Sequence, residues 1–193
     1  MKTVVGFLSR PHGYNVLTSI IKNPNFKLIK VFTHKLKPKT EDPQRSIRTD
    51  YELFVKTCNE NNIKIESIDS KDFTNTLSVP ECDYIIEVSW RYLISKIIVE
   101  KARILAFGIH RGKLPEYAGR EPIKQAIEKG ENKIELSAHH LDPIIDSGKV
   151  IGTKSYEICY NDSLTIEKNI KQIREDITPL FSELCFNILK KFS

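Results

Sequence analysis

The first 33 residues restrict this chain to few folds. Residues 3–9 (TVVGFLS) form a β-branched apolar run that ends at Arg-Pro-His-Gly, and residues 15–21 set Val16, Leu17, Ile20 and Ile21 at helical spacing before an Asn-Pro-Asn stop. Residues 26–33 (FKLIKVFT) then alternate as a strand does. Together they make a βαβ unit whose crossover is barely longer than the minimum for parallel strands, and a doubly wound sheet opens this way.

The remaining pattern continues the theme. Residues 50–61 place Tyr51, Phe54, Val55 and Cys58 on one helical face, residues 63–68 alternate as a strand, and residues 83–88 (DYIIEV) and 103–109 (RILAFGI) are apolar strands. Residues 72–77 are short and ambiguous, while residues 35–46 (KLKPKTEDPQRS), punctuated by Pro38 and Pro43, predict a mobile loop. The segment SWRYLIS reads as a loop or short helix that residues 96–101 continue. A helix is expected over residues 121–129, with Pro122 in its first turn and Gly130 as its C-cap. Residues 134–141 and a return strand from residue 149 toward residue 160 follow. Residues 163–191 are mostly helical, capped by Asp162 or Ser163 and broken at Pro179, with a stripe of Leu180, Phe181, Leu184, Cys185, Ile188 and Leu189 to pack on the sheet. The expectation is an α/β, Rossmann-like, mostly parallel sheet of at least six strands with helices on both faces, and 193 residues suit one domain.

Composition narrows the function classes. No apolar run reaches the length of a membrane span, and the N-terminus lacks a signal-peptide pattern, so a cytoplasmic protein without a membrane partner is expected. Four singly spaced cysteines, Cys58, Cys82, Cys159 and Cys185, read as free thiols in a reducing compartment, with Cys82 and Cys159 beside strand-like runs and so in the core. The net charge of +5 is uneven, because residues 1–50 carry ten Lys/Arg against three Asp/Glu. That excess either attracts an anionic partner or solubilises a face. No zinc-finger spacing or aromatic-interleaved basic stripe supports nucleic-acid binding, and a monomer or homodimer is expected.

Ligands of open α/β sheets bind outside the carboxyl ends of the strands, which directs attention to RPHGYN, SWRYL, HRGKLP and LDPIIDSG. RPHGYN is not a dinucleotide fingerprint, and no phosphate-loop signature GxxxxGK[ST] occurs. The strand over residues 103–109 hands His110 to a polar loop, and 36 residues later Asp146 opens Asp-Ser-Gly. A histidine near neutral pH moves protons, and a carboxylate beside it holds the imidazolium. The same two residues also have ordinary readings, as a loop histidine and a turn-forming aspartate. His139, His140 and Asp142 invite a metal reading, but adjacent strand residues face opposite sides, so no metal is expected.

AFGIHRGKLPEYAGREP followed by SAHHLDPIIDSGKVIG resembles the 10-formyltetrahydrofolate-dependent formyltransferase family, which contains glycinamide ribonucleotide, methionyl-tRNA and nucleotide-sugar formyltransferases. The strand, the His-x-x-x-Leu-Pro turn, the next glycine and the Asp-x-Gly turn keep the family's order. The resemblance implies one formyltransferase-like catalytic domain over residues 1–193, with no additional C-terminal domain. It implies transfer of a formyl group from 10-formyltetrahydrofolate, as co-substrate, to an amine of a small anionic acceptor, phosphorylated or nucleotide-linked. The family's catalytic Asn, His and Asp fall on Gly108, His110 and Asp146, and His139 matches a supporting histidine of the glycinamide branch. Gly108 therefore lacks the side chain that donates to the formyl oxygen, and His139, His140 or a loop N–H must supply that donor. The alternatives are a folate-dependent hydrolase and a non-catalytic folate- or nucleotide-binding protein.

Further roles follow from the same resemblance. Ser89, Trp90, Arg91, Tyr92 and Leu93 would wrap the folate pterin, closed on the other side by Leu141, Asp142 and Ile145. Arg10, Gly13 and Asn15, in a lengthened loop after the first strand, would take the acceptor's phosphate, with Arg111, Gly112, Lys113 and Arg120 as further acceptor contacts.

Overall fold

The computed structural model describes residues 1–72, 77–142, 144 and 146–193. The ambiguous stretch over 72–77 lies mostly outside the described residues, as does Ile145. The chain divides into two compact units, 1–106 and 107–193.

In the first unit, β1 (Lys2–Leu8) pairs in parallel with β2 (Phe26–Thr33) and with β4 (Cys82–Val88), and β2 pairs in parallel with β3 (Lys64–Ser67). The order is β3-β2-β1-β4-β5, where β5 (Ala102–His110) runs on into the second unit. A strand with neighbours on both edges and cover on both faces must be apolar on both. That accounts for the uninterrupted burial from Val4 to Leu8 in β1 and for the burial of Tyr84, Ile85, Ile86 and Val88 in β4, where Glu87 alone in that span is only partly buried. The crossover helix α1 (Arg10–Ile21), α2 (Tyr51–Glu60) and the short α3 (Lys96–Val99) complete the unit.

Two expectations need correction here. The helix of the crossover starts at Arg10, five residues earlier than its apolar spacing indicates, so RPHGYN is the opening of α1 rather than a lengthened loop. Pro11 costs nothing there, because the first helical N–H groups have no partner to lose. Arg10 is held at φ 66°, in the left-handed region that side chains disfavour. The stretch after β2 is not a mobile loop either. Leu36 and Ile47 form an antiparallel bridge, Lys37 N–H donates to Ser46 O (2.9 Å) and Arg48 N–H to Lys35 O (2.9 Å). Asp69 anchors this strap by accepting from the N–H groups of Lys35 (3.2 Å) and Leu36 (3.0 Å). The polar composition suggested mobility, but the strap closes on itself and its anchor, Asp69, lies more than thirty residues from Lys35 and Leu36.

The second unit begins with the end of β5, which pairs antiparallel with β6 (Lys133–His140), and β6 pairs antiparallel with β7 (Val150–Glu157). Between β5 and β6 lies α4 (Pro122–Glu128), with Pro122 in its first turn and Gly130 at φ 74° just past its end, as the sequence predicts. The C-terminal helices are α5 (Ile166–Asp176) and α6 (Thr178–Lys191). Their break falls at buried Ile177, before Pro179, because a proline is tolerated in the first turn of the second helix. Thr165 caps α5, its Oγ1 accepting from Lys168 N–H at 3.4 Å, while Ser163 is occupied by the Asn161 side chain (2.6 Å), which removes it as the expected cap. Phe181, Leu184, Cys185, Ile188 and Leu189 are buried as their stripe predicts, while its first member, Leu180, is only partly buried.

The architecture is thus α/β and Rossmann-like, with a mostly parallel central sheet flanked by helices. Cys58, Cys82 and Cys185 are buried, and burial pushes the Cys58 thiol up to about 12 and the Cys82 thiol up to about 11. Cys159 is exposed, contrary to the core reading, because it lies beyond the end of β7.

Candidate active site

The antiparallel register sets the chemistry of the second unit. Gly108 stands directly opposite His139, so the two share a face, and His110, two residues along β5, shares it as well. His140 lies on the other face, with its ring 6.5 Å from that of Phe192, edge to face. The loop after β6 is drawn back onto the strand by the bond from His140 N–H to Lys149 O (3.1 Å). Gly148 makes this return possible, since a Cβ there would sit 1.8 Å from His140 O. Asp146, at φ 56° in that turn, is thereby brought to the two histidines.

Distances define what these groups can do. His110 Nδ1 is 3.4 Å from Asp146 Oδ2, and His139 Nε2 is 3.6 Å from Asp146 Oδ1. Gly119 N–H donates to Asp146 Oδ2 at 3.0 Å. The outer nitrogens are spoken for: His110 Nε2 donates to Tyr117 O (2.7 Å) and His139 Nδ1 to His140 O (3.0 Å). A carbonyl oxygen only accepts, so these nitrogens carry the imidazole protons and the inner ones carry lone pairs. Burial holds both histidines below the usual imidazole range, only partly opposed by Asp146 and the backbone carbonyls. Neutral histidines therefore turn two acceptor nitrogens toward one carboxylate. His139 Nε2 is buried and has no hydrogen-bond partner among the described residues. Three acceptors converge where a proton or an N–H donor is required.

The other expected residues divide between the units. Leu141 and Asp142 follow β6, Asp142 Oδ1 accepting from Ile144 N–H (3.3 Å). Lys113 pairs with Glu116 at 2.8 Å, Arg120 O accepts from Gln125 (2.8 Å), and Arg111 lies close enough to lower the His110 pKa. Gly112 packs against the His110 ring. In the first unit, Ser89 adopts φ 58° at the end of β4. Trp90 stacks on His34 at 4.1 Å with Tyr92 edge-on to both rings, and Leu93 is exposed. Arg91 N–H donates to His34 Nε2 (3.1 Å), and its guanidinium reaches Leu36 O and lies 3.9 Å from Asp69. Arg10 pairs with Glu41 at 2.6 Å, whereas Gly13 is buried within α1 and Asn15 is also helical.

The sequence reading passed over three groups. His34, at the end of β2, is fully buried, donates from Nδ1 to Ile68 O (2.5 Å), and has its pKa lowered to about 2 by burial and then by Arg91. Arg48 is buried against Asp50 (2.9 Å) and Ser9. Tyr117, whose carbonyl holds His110, gave no signal beyond its place after the Leu-Pro turn. Among the described residues no His, Cys, Asp or Glu group of three or more is arranged to hold a metal ion, and no helix is long and apolar enough to cross a membrane.

Comparison with known proteins shows the family to which this fold belongs. Residues 7–180 match the formyl transferase family, and the chain belongs to it. Methionyl-tRNA formyltransferase of Kosmotoga olearia is 24% identical over 174 residues, covering 87% of this chain and 52% of that protein. The Flavobacterium johnsoniae enzyme of the same name is 26% identical over 190 residues, 95% of this chain and 56% of that protein. The chain spans about half the length of these curated relatives. Among solved structures, phosphoribosylglycinamide formyltransferase from Brucella melitensis superposes with TM-score 0.70 at 16% identity, covering 99% of this chain and 95% of that one. The Bacillus halodurans protein of that name gives 0.69 at 19%, covering 100% and 97%. A formyltetrahydrofolate deformylase from Pseudomonas syringae gives 0.66 at 15%, covering 93% and 58%. At these identities the structural likeness shows the fold alone.

Proposed function

We propose that this chain is a catalytic domain that transfers a formyl group from 10-formyltetrahydrofolate to an amine of a small phosphorylated or nucleotide-linked acceptor. The observation that carries the reading is the convergence of His110 Nδ1, His139 Nε2 and the Asp146 carboxylate, acceptors that fit an attacking nitrogen bearing hydrogens. The folate, when bound, supplies the activated formyl carbon and an amine leaving group. His110 Nδ1 takes the proton that the acceptor nitrogen loses on attack, and Asp146 holds the resulting imidazolium. The same proton is then available for the leaving nitrogen. His139 answers the missing side chain at Gly108: neutral at rest, its Nε2 takes up a solvent proton as negative charge develops beside it with Asp146 alongside, becomes a donor on the face it shares with that glycine, offsets the charge on the formyl oxygen and returns the proton to solvent as that charge collapses.

In the first unit, Ser89 to Leu93 are assigned to the folate and Arg10 to the acceptor's anionic group; in the second, Leu141, Asp142 and Ile145 are assigned to the folate and Arg111, Lys113 and Arg120 to the acceptor. Gly13, buried within α1, and Gly112, packed against the His110 ring, serve by close packing, and Asn15 keeps its assignment to the acceptor. The test is a titration with a stable folate analogue, followed by an amine panel with 10-formyltetrahydrofolate. Binding with formylation of an anionic amine is expected. No folate binding would sink the reading, and release of formate with no transfer to any amine would make the chain a hydrolase.

A further inference from the structure

The tautomer of His110 is set by a group outside the acceptor cluster. Its Nε2 proton is spent on the carbonyl of Tyr117, which leaves Nδ1 as the basic atom facing Asp146. If the ring protonated on the other nitrogen, the lone pair would meet a carbonyl and the basic atom would face away from the carboxylate. The position of one carbonyl oxygen thus decides where the proton-accepting atom points.

The peptide around that carbonyl is held by two backbone bonds, Tyr117 N–H to Lys113 O (2.8 Å) and Ala118 N–H to Pro115 O (3.3 Å), and by the Tyr117 side chain. The Tyr117 phenol donates to Glu131 Oε1 at 2.6 Å, which raises the Tyr117 pKa to about 12, and Lys129 Nζ lies 4.9 Å from the ring centroid. Glu131 reaches this point because the chain leaves α4 through Gly130 at φ 74°, with Glu131 N–H donating back to Ala126 O (3.0 Å). A cavity of about 90 Å³ borders Tyr117 and Glu131, so packing does not close around the ring on that side and the hydrogen bond fixes it. Gly112 shows how closely the arrangement is fitted: a Cβ there would lie 3.1 Å from Tyr117 O, 3.2 Å from His110 Nε2 and 2.5 Å from Pro122 Cβ.

We propose that Tyr117, anchored by its phenol on Glu131, is a positioning residue for His110 that fixes Nε2 as the protonated nitrogen and presents Nδ1 to Asp146. The assignment of a catalytic benefit rests on the reading of His110 as the proton-handling group, whereas the tautomer itself is measurable without activity. The decisive variant is Glu131→Ala, because Glu131 is exposed and its loss leaves the core intact. The readout is the pair of ¹⁵N shifts of the His110 ring in the labelled 193-residue chain, assigned with His110→Asn, alongside kcat and KM.

In Glu131→Ala and in Tyr117→Phe the two shifts, well separated in the parent, are expected to draw together as both tautomers become populated. Turnover should fall on the order of tenfold with KM unchanged. Glu131→Gln keeps an acceptor for the phenol and should restore the parent shifts and rate. Parent shifts in both Glu131→Ala and Tyr117→Phe would overturn the proposal. Shifts that move with turnover unchanged would uphold the positioning and remove His110 from the chemistry.

Discussion

His110 Nδ1 lies 3.4 Å from Asp146 Oδ2, and with the imidazole neutral both atoms are acceptors. The contact is therefore incomplete without a proton, which in the proposed function an arriving amine brings. Histidines held neutral by burial have a cost that appears at low pH, and they give the first prediction.

Stability should fall as the solution is acidified from pH 6.5. His34 has a folded pKa of about 2 against an ordinary 6.5, so the unfolded chain binds the extra proton throughout that interval. Its stabilising effect is complete above 6.5 and is lost at about 1.4 kcal/mol per pH unit below it. His110 and His139, also shifted down, act in the same direction. Urea unfolding between pH 7 and pH 5 should show this slope, and His34→Gln should flatten it. An unchanged slope in His34→Gln would contradict the assignment.

Gly148→Ala tests the return of the loop onto β6. The added methyl would sit 1.8 Å from His140 O, so the backbone that carries Asp146 must move. A loss of about 1–3 kcal/mol in thermal unfolding is expected, with transfer reduced on the order of a hundredfold. A native melting temperature and native rate would show that the turn has room to spare.

Arg10 and Glu41 test recognition of an anionic acceptor. Their ion pair is half exposed and contributes only about 0–1 kcal/mol to stability, so an anionic group can displace Glu41 from the guanidinium. Arg10→Ala should raise KM for the acceptor roughly tenfold with kcat unchanged, and Glu41→Gln should lower KM. Identical KM values in all three proteins would place the anion elsewhere.

His139 and Gly108 are a matched pair in register, which permits a rescue experiment. His139→Ala should lower the transfer rate by about 10²–10³. Adding Gly108→Asn to that variant should recover part of the loss, because an amide donor would again lie on the reacting face. A double variant no faster than His139→Ala would count against the shared role.

Much of the fold was legible because it is locally encoded. The alternation of FKLIKVFT and the spacing of Phe181, Leu184, Cys185 and Ile188 specify their own strand and helix, and the structure keeps both. The order of the loop histidine and the Asp-Ser-Gly turn along the chain pointed to His110 and Asp146, which the structure brings to 3.4 Å. What stayed hidden depends on pairs distant in sequence. Nothing around VFTHK announces that His34 will stack on Trp90 or donate to Ile68 O, and the charge of the strap over residues 35–48 conceals its anchor at Asp69. Likewise Tyr117 and Glu131 meet only because α4 ends where it does.

The most direct test follows ¹⁴C-labelled formyl in a single turnover of 10-formyltetrahydrofolate with a phosphorylated amine acceptor, comparing the parent chain with Asp146→Asn. That substitution preserves shape and removes the charge that holds the His110 imidazolium. The account predicts label on the amine in the parent and a rate at least about a hundredfold lower in Asp146→Asn, with folate-analogue binding intact. Transfer at the parent rate in folded Asp146→Asn would contradict it.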